Sequence, residues 1–233
     1  SDLITVQGVV LSAMPVGDYD KRIVLLTREE GEISVFCQGS ETAEQSVHGS
    51  SLTRLYSEVF TLYEGRTSYN LNQVSVQIYF VELATRQPGV YYGYYFLELA
   101  DYFGKEGTDE KEMMNLLYVT IKAILNPHIE DRLVRCIYEL RTMVIQGVMP
   151  QLFQCAGCGR ELMEEETGEL FFSQDEHGIL CADCSRMAMD RKRISAAALY
   201  AMRYIAVSPL AKLYTFTVRD DVLRDVQQIN NTV

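Results

Sequence analysis

An α+β fold is what this 233-residue sequence predicts: a small closed β-barrel first, an all-α helical domain second, and a four-cysteine zinc knuckle inserted among the helices. Three observations carry this. Residues 4 to about 80 alternate apolar and polar side chains in short runs broken by glycine turns, with no helical period. Beyond Gln87-Pro88-Gly89 the apolar residues recur every three or four positions instead. Four of the six cysteines form two Cys-x-x-Cys pairs with twenty-two residues between them. The expected domains are therefore a barrel over 1–80 and a helical domain over 81–233, with the metal-binding insert at 150–185.

The barrel segment opens with ITVQGVVLSAM, which is β-branched and alternating. DKRIVLLTREEGEISVFCQG predicts a hairpin turning at Glu29-Glu30-Gly31, where glycine supplies the positive φ of a tight turn. A second strand pair is expected around Glu64-Gly65-Arg66, and the polar stretch GSETAEQSVHGS, residues 39–50, is expected to be a loop. In the helical part, Tyr91, Tyr95, Phe96, Leu99, Tyr102 and Phe103 share a helical face. Thr108 is the expected N-cap of a helix ending near Leu125, and Pro127 suits the first turn of the next. SAAALYAMRYIAV predicts a further helix, Ser208-Pro209 a short restart, and Thr217 a cap for the last.

Charge and composition exclude several classes. The net charge of -11 argues against indiscriminate phosphate binding. Only residues 186–233 are net basic, with eight Lys and Arg against four Asp and Glu; residues 151–185 hold one against eight. No apolar run approaches the ~20 residues of a membrane span, and no signal-like segment opens the chain, so a cytoplasmic protein with no membrane partner is expected. In a reducing compartment, paired Cys-x-x-Cys motifs predict metal ligands before disulfides.

Cys155, Cys158, Cys181 and Cys184 are the expected ligands of one structural zinc ion. Four thiolates close a tetrahedral site, whereas a catalytic zinc keeps a position open for water. The hairpin between the pairs offers Phe171, Phe172, Ile179 and Leu180 as a small core, and His177 as an exposed turn residue. Carboxylates crowd the insert, so stability is the expected gain from the metal rather than a grip on phosphate. Cys37 and Cys136 lie among apolar neighbours and are expected to be core residues. No carboxylate cluster, Gly-rich phosphate loop or Ser/His/Asp set points to an enzyme.

VQGVVLSAMPVGDYDKRIVLLTREEGEISVFCQG resembles the opening of the bacterial DNA repair protein RecO family, with Gly17, Asp18, Asp20, Lys21, Thr27, Arg28 and Gly31 at its turn and hairpin positions. LYEGRTSYNLNQVSV is similar to that family's strand pair, GVMPQLFQCAGCG to the entry of its zinc site and FFSQDEHGILCADC to the exit. The resemblance spans about residues 4 to 225. It implies an OB-fold barrel and a binding protein, not an enzyme. Such a protein binds single- and double-stranded DNA, anneals complementary strands and, with RecR, helps load RecA on gaps covered by single-strand-binding protein. It also implies a cytoplasmic, nucleoid-associated location, and engagement of the C-terminal tail of single-strand-binding protein. An OB-fold suits this work by offering aromatics for bases and cations for the backbone. The candidate DNA-binding residues are Lys21, Arg22 and Arg28 around one hairpin, Arg54 and Arg66 from neighbouring strands, and Arg191, Lys192 and Arg193 after the knuckle, where Arg186 and Arg203 add charge and a helix is expected to begin. Tyr19, Tyr63 and Tyr69 are candidates to stack bases. Where the family carries a basic loop, residues 39–50 hold Glu41 and Glu44 and no Lys or Arg, so weak or partner-dependent DNA binding is expected. A protein-interaction adaptor that excludes DNA fits the same acidic barrel.

Overall fold

The computed structural model describes residues 2–39, 56–79, 89–104, 110–164, 166 and 168–233. The loop at 39–50, apart from Gly39, lies outside these residues, as do Arg54 and Thr108. Among the described residues, no helix is long and apolar enough to cross a membrane.

Five strands form the barrel: β1 (Asp2–Val16), β2 (Asp20–Thr27), β3 (Glu32–Cys37), β4 (Tyr56–Glu64) and β5 (Tyr69–Tyr79). Their order is β1-β2-β3-β5-β4, closing back on β1, with β3 and β5 parallel and the other pairs antiparallel. This is the OB-like barrel that the resemblance implies. The length of β1 makes closure possible. Its residues Asp2 to Val9 pair with β4 and Gly8 to Val16 with β2, with a register shift between Val10 and Ser12. Gly8 sits where both pairings overlap, and a Cβ there would stand 2.9 Å from the Leu26 carbonyl oxygen. Inside lie Val6, Val10, Ile23, Leu25, Ile33, Val35, Cys37, Phe60 and Leu62, the inward half of each alternating pattern. The hairpin turn forms where the sequence predicts it. Gly31 has φ 69°, and the Thr27 hydroxyl donates to the Gly31 carbonyl at 2.7 Å.

The chain's contacts gather into two compact units, residues 1–127 and 128–233. The first unit includes α1 (Gly89–Phe103) and α2 (Lys111–Leu125) with the barrel. Helix α1 packs against β1 and α2 against β2. There Val9 and Leu26, paired in register on the face opposite the inner core, are also buried. Helix α2 buries Met113, Leu117, Thr120 and Ile124, a stripe at helical spacing. Glu110 occupies its N-cap position, and Pro127 lies in a turn before the next helix rather than inside it.

The second unit is built on α3 (Asp131–Ile145), α5 (Ala196–Val207) and α6 (Asp220–Thr232), packed pairwise. The knuckle lies between α3 and α5: β6 (Leu170–Ser173), β7 (Gly178–Leu180), the one-turn α4 (Ala182–Ser185) and β8 (Lys192–Ile194). Arg141 of α3 donates to the Ile205 and Ala206 carbonyls at 3.0 and 3.1 Å, satisfying the open C-terminal end of α5. Asn230 of α6 donates to the Cys136 carbonyl at 3.1 Å. Two expectations shift here. Arg219, not Thr217, holds the cap position of α6. Arg191-Lys192-Arg193 does not begin a helix: Lys192 and Arg193 lie in β8, and the helix waits for Ser195, whose hydroxyl accepts from the Ala198 N–H at 3.1 Å.

Candidate metal centre

The four knuckle sulfurs lie within 4.8 Å of one another. Four thiolates about 2.3 Å from a shared ion would stand some 3.8 Å apart, so this set can hold a tetrahedral metal ion. Each sulfur is placed by local backbone. Cys155 and Cys158 sit on a turn closed by the Gly159 N–H to the Cys155 carbonyl at 2.8 Å, with Gly159 at φ 76°. Cys181 follows β7 at the start of α4, and Cys184 lies within that helix. The turn and the helix touch at Gly157, where a Cβ would stand 2.9 Å from the Cβ of Cys184. Only a glycine lets the second pair approach the first so closely.

Hydrogen bonds prepare the site for negative charge. The Cys181 N–H donates to the Cys155 sulfur at 3.3 Å. Burial works against ionisation of Cys155, but N–H groups of Cys158, Cys181 and Gly157 outweigh it and bring the thiol down to about 6. Hydrogen bonds from the Cys184 thiol to the Cys181, Cys155 and Cys158 side chains hold its proton and push Cys184 the other way, to about 12. Metal binding must therefore displace the Cys184 proton. Arg160, ion-paired with Glu166 at 2.9 Å, also reaches the Cys181 sulfur and supplies positive charge.

The knuckle core holds Phe172, Ile179 and Leu180 as expected, while Phe171 is half-buried with the Arg191 guanidinium 5.9 Å from its ring centroid. Leu152, Leu162, Leu170 and Ile194 complete it. The entry strand lies against β7, with the Ile179 N–H donating to the Gln151 carbonyl at 2.8 Å. His177 is an exposed turn residue at φ 53°, with its Nε2 3.0 Å from the Val148 carbonyl oxygen. Arg203 of α5 is a clamp that sequence reasoning missed. It donates to the Leu152 carbonyl at 2.9 Å and the Leu162 carbonyl at 3.1 Å, and covers the Phe153 ring. Its helical spacing within α5 would have marked it only as one more surface cation.

Cys37 and Cys136 are fully buried. Burial pushes the Cys37 thiol up to about 11 against the opposing Lys21 charge, and burial followed by Glu139 pushes Cys136 to about 12. Both stay protonated at neutral pH and lie outside the four-sulfur cluster.

The expected basic cluster on the barrel separates. Lys21 and Arg22 open β2 and, being consecutive, point to opposite faces; Arg28 follows the other end, about 23 Å away at ~3.3 Å per residue. Lys21 pairs in register with inward-facing Cys37, and Arg28 is half-buried, donating to Gln7 Oε1 at 3.3 Å. Arg66 is exposed in the β4–β5 turn. Tyr69 packs on the barrel core, whereas Tyr19 and Tyr63 are exposed. The cross-strand register assembles a different set. Met14, Arg22, Phe36, Asn70, Tyr63 and Leu3 are successive partners across all five strands, forming one outward band. All six are exposed except half-buried Phe36. After the knuckle, Arg193 pairs with Glu169 at 3.1 Å and Arg186 with Asp183 at 3.6 Å, while Arg191 donates to the Ser185 carbonyl at 3.0 Å. Arg22, Arg66 and Lys192 make no ion pair among the described residues.

Comparison with known proteins agrees with this architecture. Residues 2–80 match the family model described as recombination protein O N terminal, and residues 89–232 the one described as recombination protein O C terminal. The chain is similar to the DNA repair protein RecO of Alkaliphilus metalliredigens, 25% identical over 93% of this chain and 86% of the relative. It is likewise similar to that of Symbiobacterium thermophilum, 26% identical over 97% and 88%, and that of Bacillus pumilus, 24% identical over 97% and 86%. A barrel and a helical region, each matched by its own model in the same order, leave one conclusion: the chain belongs to the RecO family of DNA repair proteins.

Proposed function

We propose that this protein binds single- and double-stranded DNA, anneals complementary strands and, with RecR, helps load RecA on gaps covered by single-strand-binding protein, whose C-terminal tail it engages. It acts in the cytoplasm at the nucleoid and catalyses no bond-breaking step. Family membership supports the annealing and loading roles. The observation that carries strand binding is the outward barrel band, where Tyr63 and Phe36 offer rings for base stacking and Arg22 a charge for phosphate. Lys192 and Arg66 are further exposed cations, and Arg191 and Arg193 extend the basic stretch after the knuckle. Lys21, Arg28 and Arg54 belong to the same proposed cation set, with Lys21 and Arg28 only half-exposed. The ion in the knuckle is zinc. Four thiolates hold it without an open position, so it supplies rigidity to β6–β8 rather than chemistry.

The acidity of residues 1–80, ten carboxylates against five cations, favours a second reading in which the barrel binds only proteins. Fluorescence anisotropy of a labelled single-stranded oligonucleotide at three salt concentrations separates the two. The DNA-binding reading expects affinity that falls steeply with salt and drops further in R22E. Absence of binding at the lowest salt would move the adaptor reading to the front.

A further inference from the structure

The six residues that join α4 to β8 expose Met187 at 88% and Met189 at 99%, the two most exposed large apolar side chains among the described residues. A mobile tail could carry such side chains without consequence, but this loop is braced at both ends. At its start the Met187 N–H donates to the Cys184 carbonyl and the Ala188 N–H to the Ser185 carbonyl, at 3.3 and 3.1 Å. At its end the Asp190 carboxylate accepts from the Ser173 hydroxyl at 2.8 Å and from the Asp175 N–H at 3.0 Å. Arg191 spans the middle, donating to the Ser185 carbonyl. The two thioethers are thus held out in water by a loop whose root is a metal ligand.

The surrounding charge indicates what would cover them. In sequence, residues 185–193 hold Arg186, Arg191, Lys192 and Arg193 against Asp190; Lys192 makes no ion pair among the described residues, while Arg186 and Arg193 would exchange exposed partners, Asp183 at 3.6 Å and Glu169 at 3.1 Å, for phosphate. An apolar tip on a basic base suits a nucleic acid, with the cations on phosphate and the tip between bases. Methionine is among the side chains used as such wedges, and its polarizable sulfur packs well on aromatic rings.

We propose that Met187 and Met189 form a wedge that inserts between neighbouring bases of a DNA strand held by the adjacent cations. This rests on the DNA-binding reading and adds a second contact to it, distinct from the barrel band. The metal's role then extends beyond stability, because it fixes the root from which the wedge projects.

The test uses the full-length, metal-loaded protein and a single-stranded oligonucleotide carrying 2-aminopurine, whose fluorescence rises when it is unstacked. Wild type is expected to raise the signal on binding. M187A/M189A is expected to lose most of that rise and about tenfold in affinity, with an unchanged salt dependence, because no charge is removed. M187L/M189L is expected to restore both, as an apolar wedge of similar size. Both positions are solvent-exposed, and unchanged metal content and circular dichroism would show that the fold is intact. A wild type that binds with salt dependence while M187A/M189A matches it in both readouts would overturn the wedge and leave the DNA-binding reading standing. A wild type with no anisotropy change at low salt would overturn both.

Discussion

The barrel and the knuckle are both small β structures, yet they are held by different means. The barrel closes on itself, so all five strands are paired on both sides, and its inward residues from Val6 to Leu62 form one buried cluster. The knuckle is an open sheet in the order β7-β6-β8, with strands of three, four and three residues. Strands so short offer few cross-strand pairs, and an isolated hairpin of this size is marginal in water. What brings the knuckle together is convergence of four sulfurs from two turns, with Arg203 fastening it to α5. The lesson concerns where a metal would be useful: a sheet too short to be held by its cross-strand pairs, with only a small core, could still be made rigid by one, and could then present side chains such as Met187 and Met189.

Breaking the metal site should have the largest effect. C155S is expected to lose the bound ion, read as one missing metal by native mass spectrometry, and with it an apparent binding free energy of about 10–16 kcal/mol for a structural zinc site. Protease sensitivity should appear within residues 150–195, while the barrel's far-ultraviolet circular dichroism persists. Phe60, fully buried in the barrel, gives the reciprocal break. F60A is expected to cost about 3–5 kcal/mol in a denaturant melt and to leave metal content unchanged. Next comes R203A, which orphans the Leu152 and Leu162 carbonyls at a cost of about 1–3 kcal/mol. It should speed metal loss to a chelator without affecting the barrel.

The smallest effect sharpens the comparison by pH. Cys184, raised to about 12, holds a proton throughout the neutral range, so metal affinity is expected to rise with pH from 6 to 8. Cys155, lowered to about 6, is already a thiolate above that pH and takes up a proton below it. Its contribution to metal affinity is therefore fully present above about 6 and lost as pH falls. Competition with a chelating dye should show a further factor of about ten per pH unit appearing below pH 6. A straight line through pH 6 would mean that the N–H groups around Cys155 do not set its protonation.

Much of this was legible in the sequence because it depends on local pattern. Alternation marked the strands, Gly31 marked the hairpin turn, and the Cys-x-x-Cys spacing marked the four sulfurs that converge. What escaped depends on register. Arg22, Phe36, Asn70 and Tyr63 are far apart in sequence and meet only because β3 runs parallel to β5, a pairing that no local signal encodes. The same ignorance made Lys21, Arg22 and Arg28 look like one cluster, although an extended strand separates its ends and alternates its faces. Helix starts were misplaced by two residues at α2 and α6, where the cap positions hold Glu110 and Arg219 without side-chain cap bonds. Arg203 was invisible as a clamp because its partners are backbone carbonyls of the distant knuckle.

The most direct measurement is hydrogen exchange followed by mass spectrometry, peptide by peptide, before and after a chelator strips the metal. The expected result is loss of protection confined to β6, β7, α4, β8 and the loop bearing Met187 and Met189, with β1–β5 unchanged. Loss of protection in barrel and knuckle together, or in neither, would contradict the claim that one region is held by its core and the other by its metal.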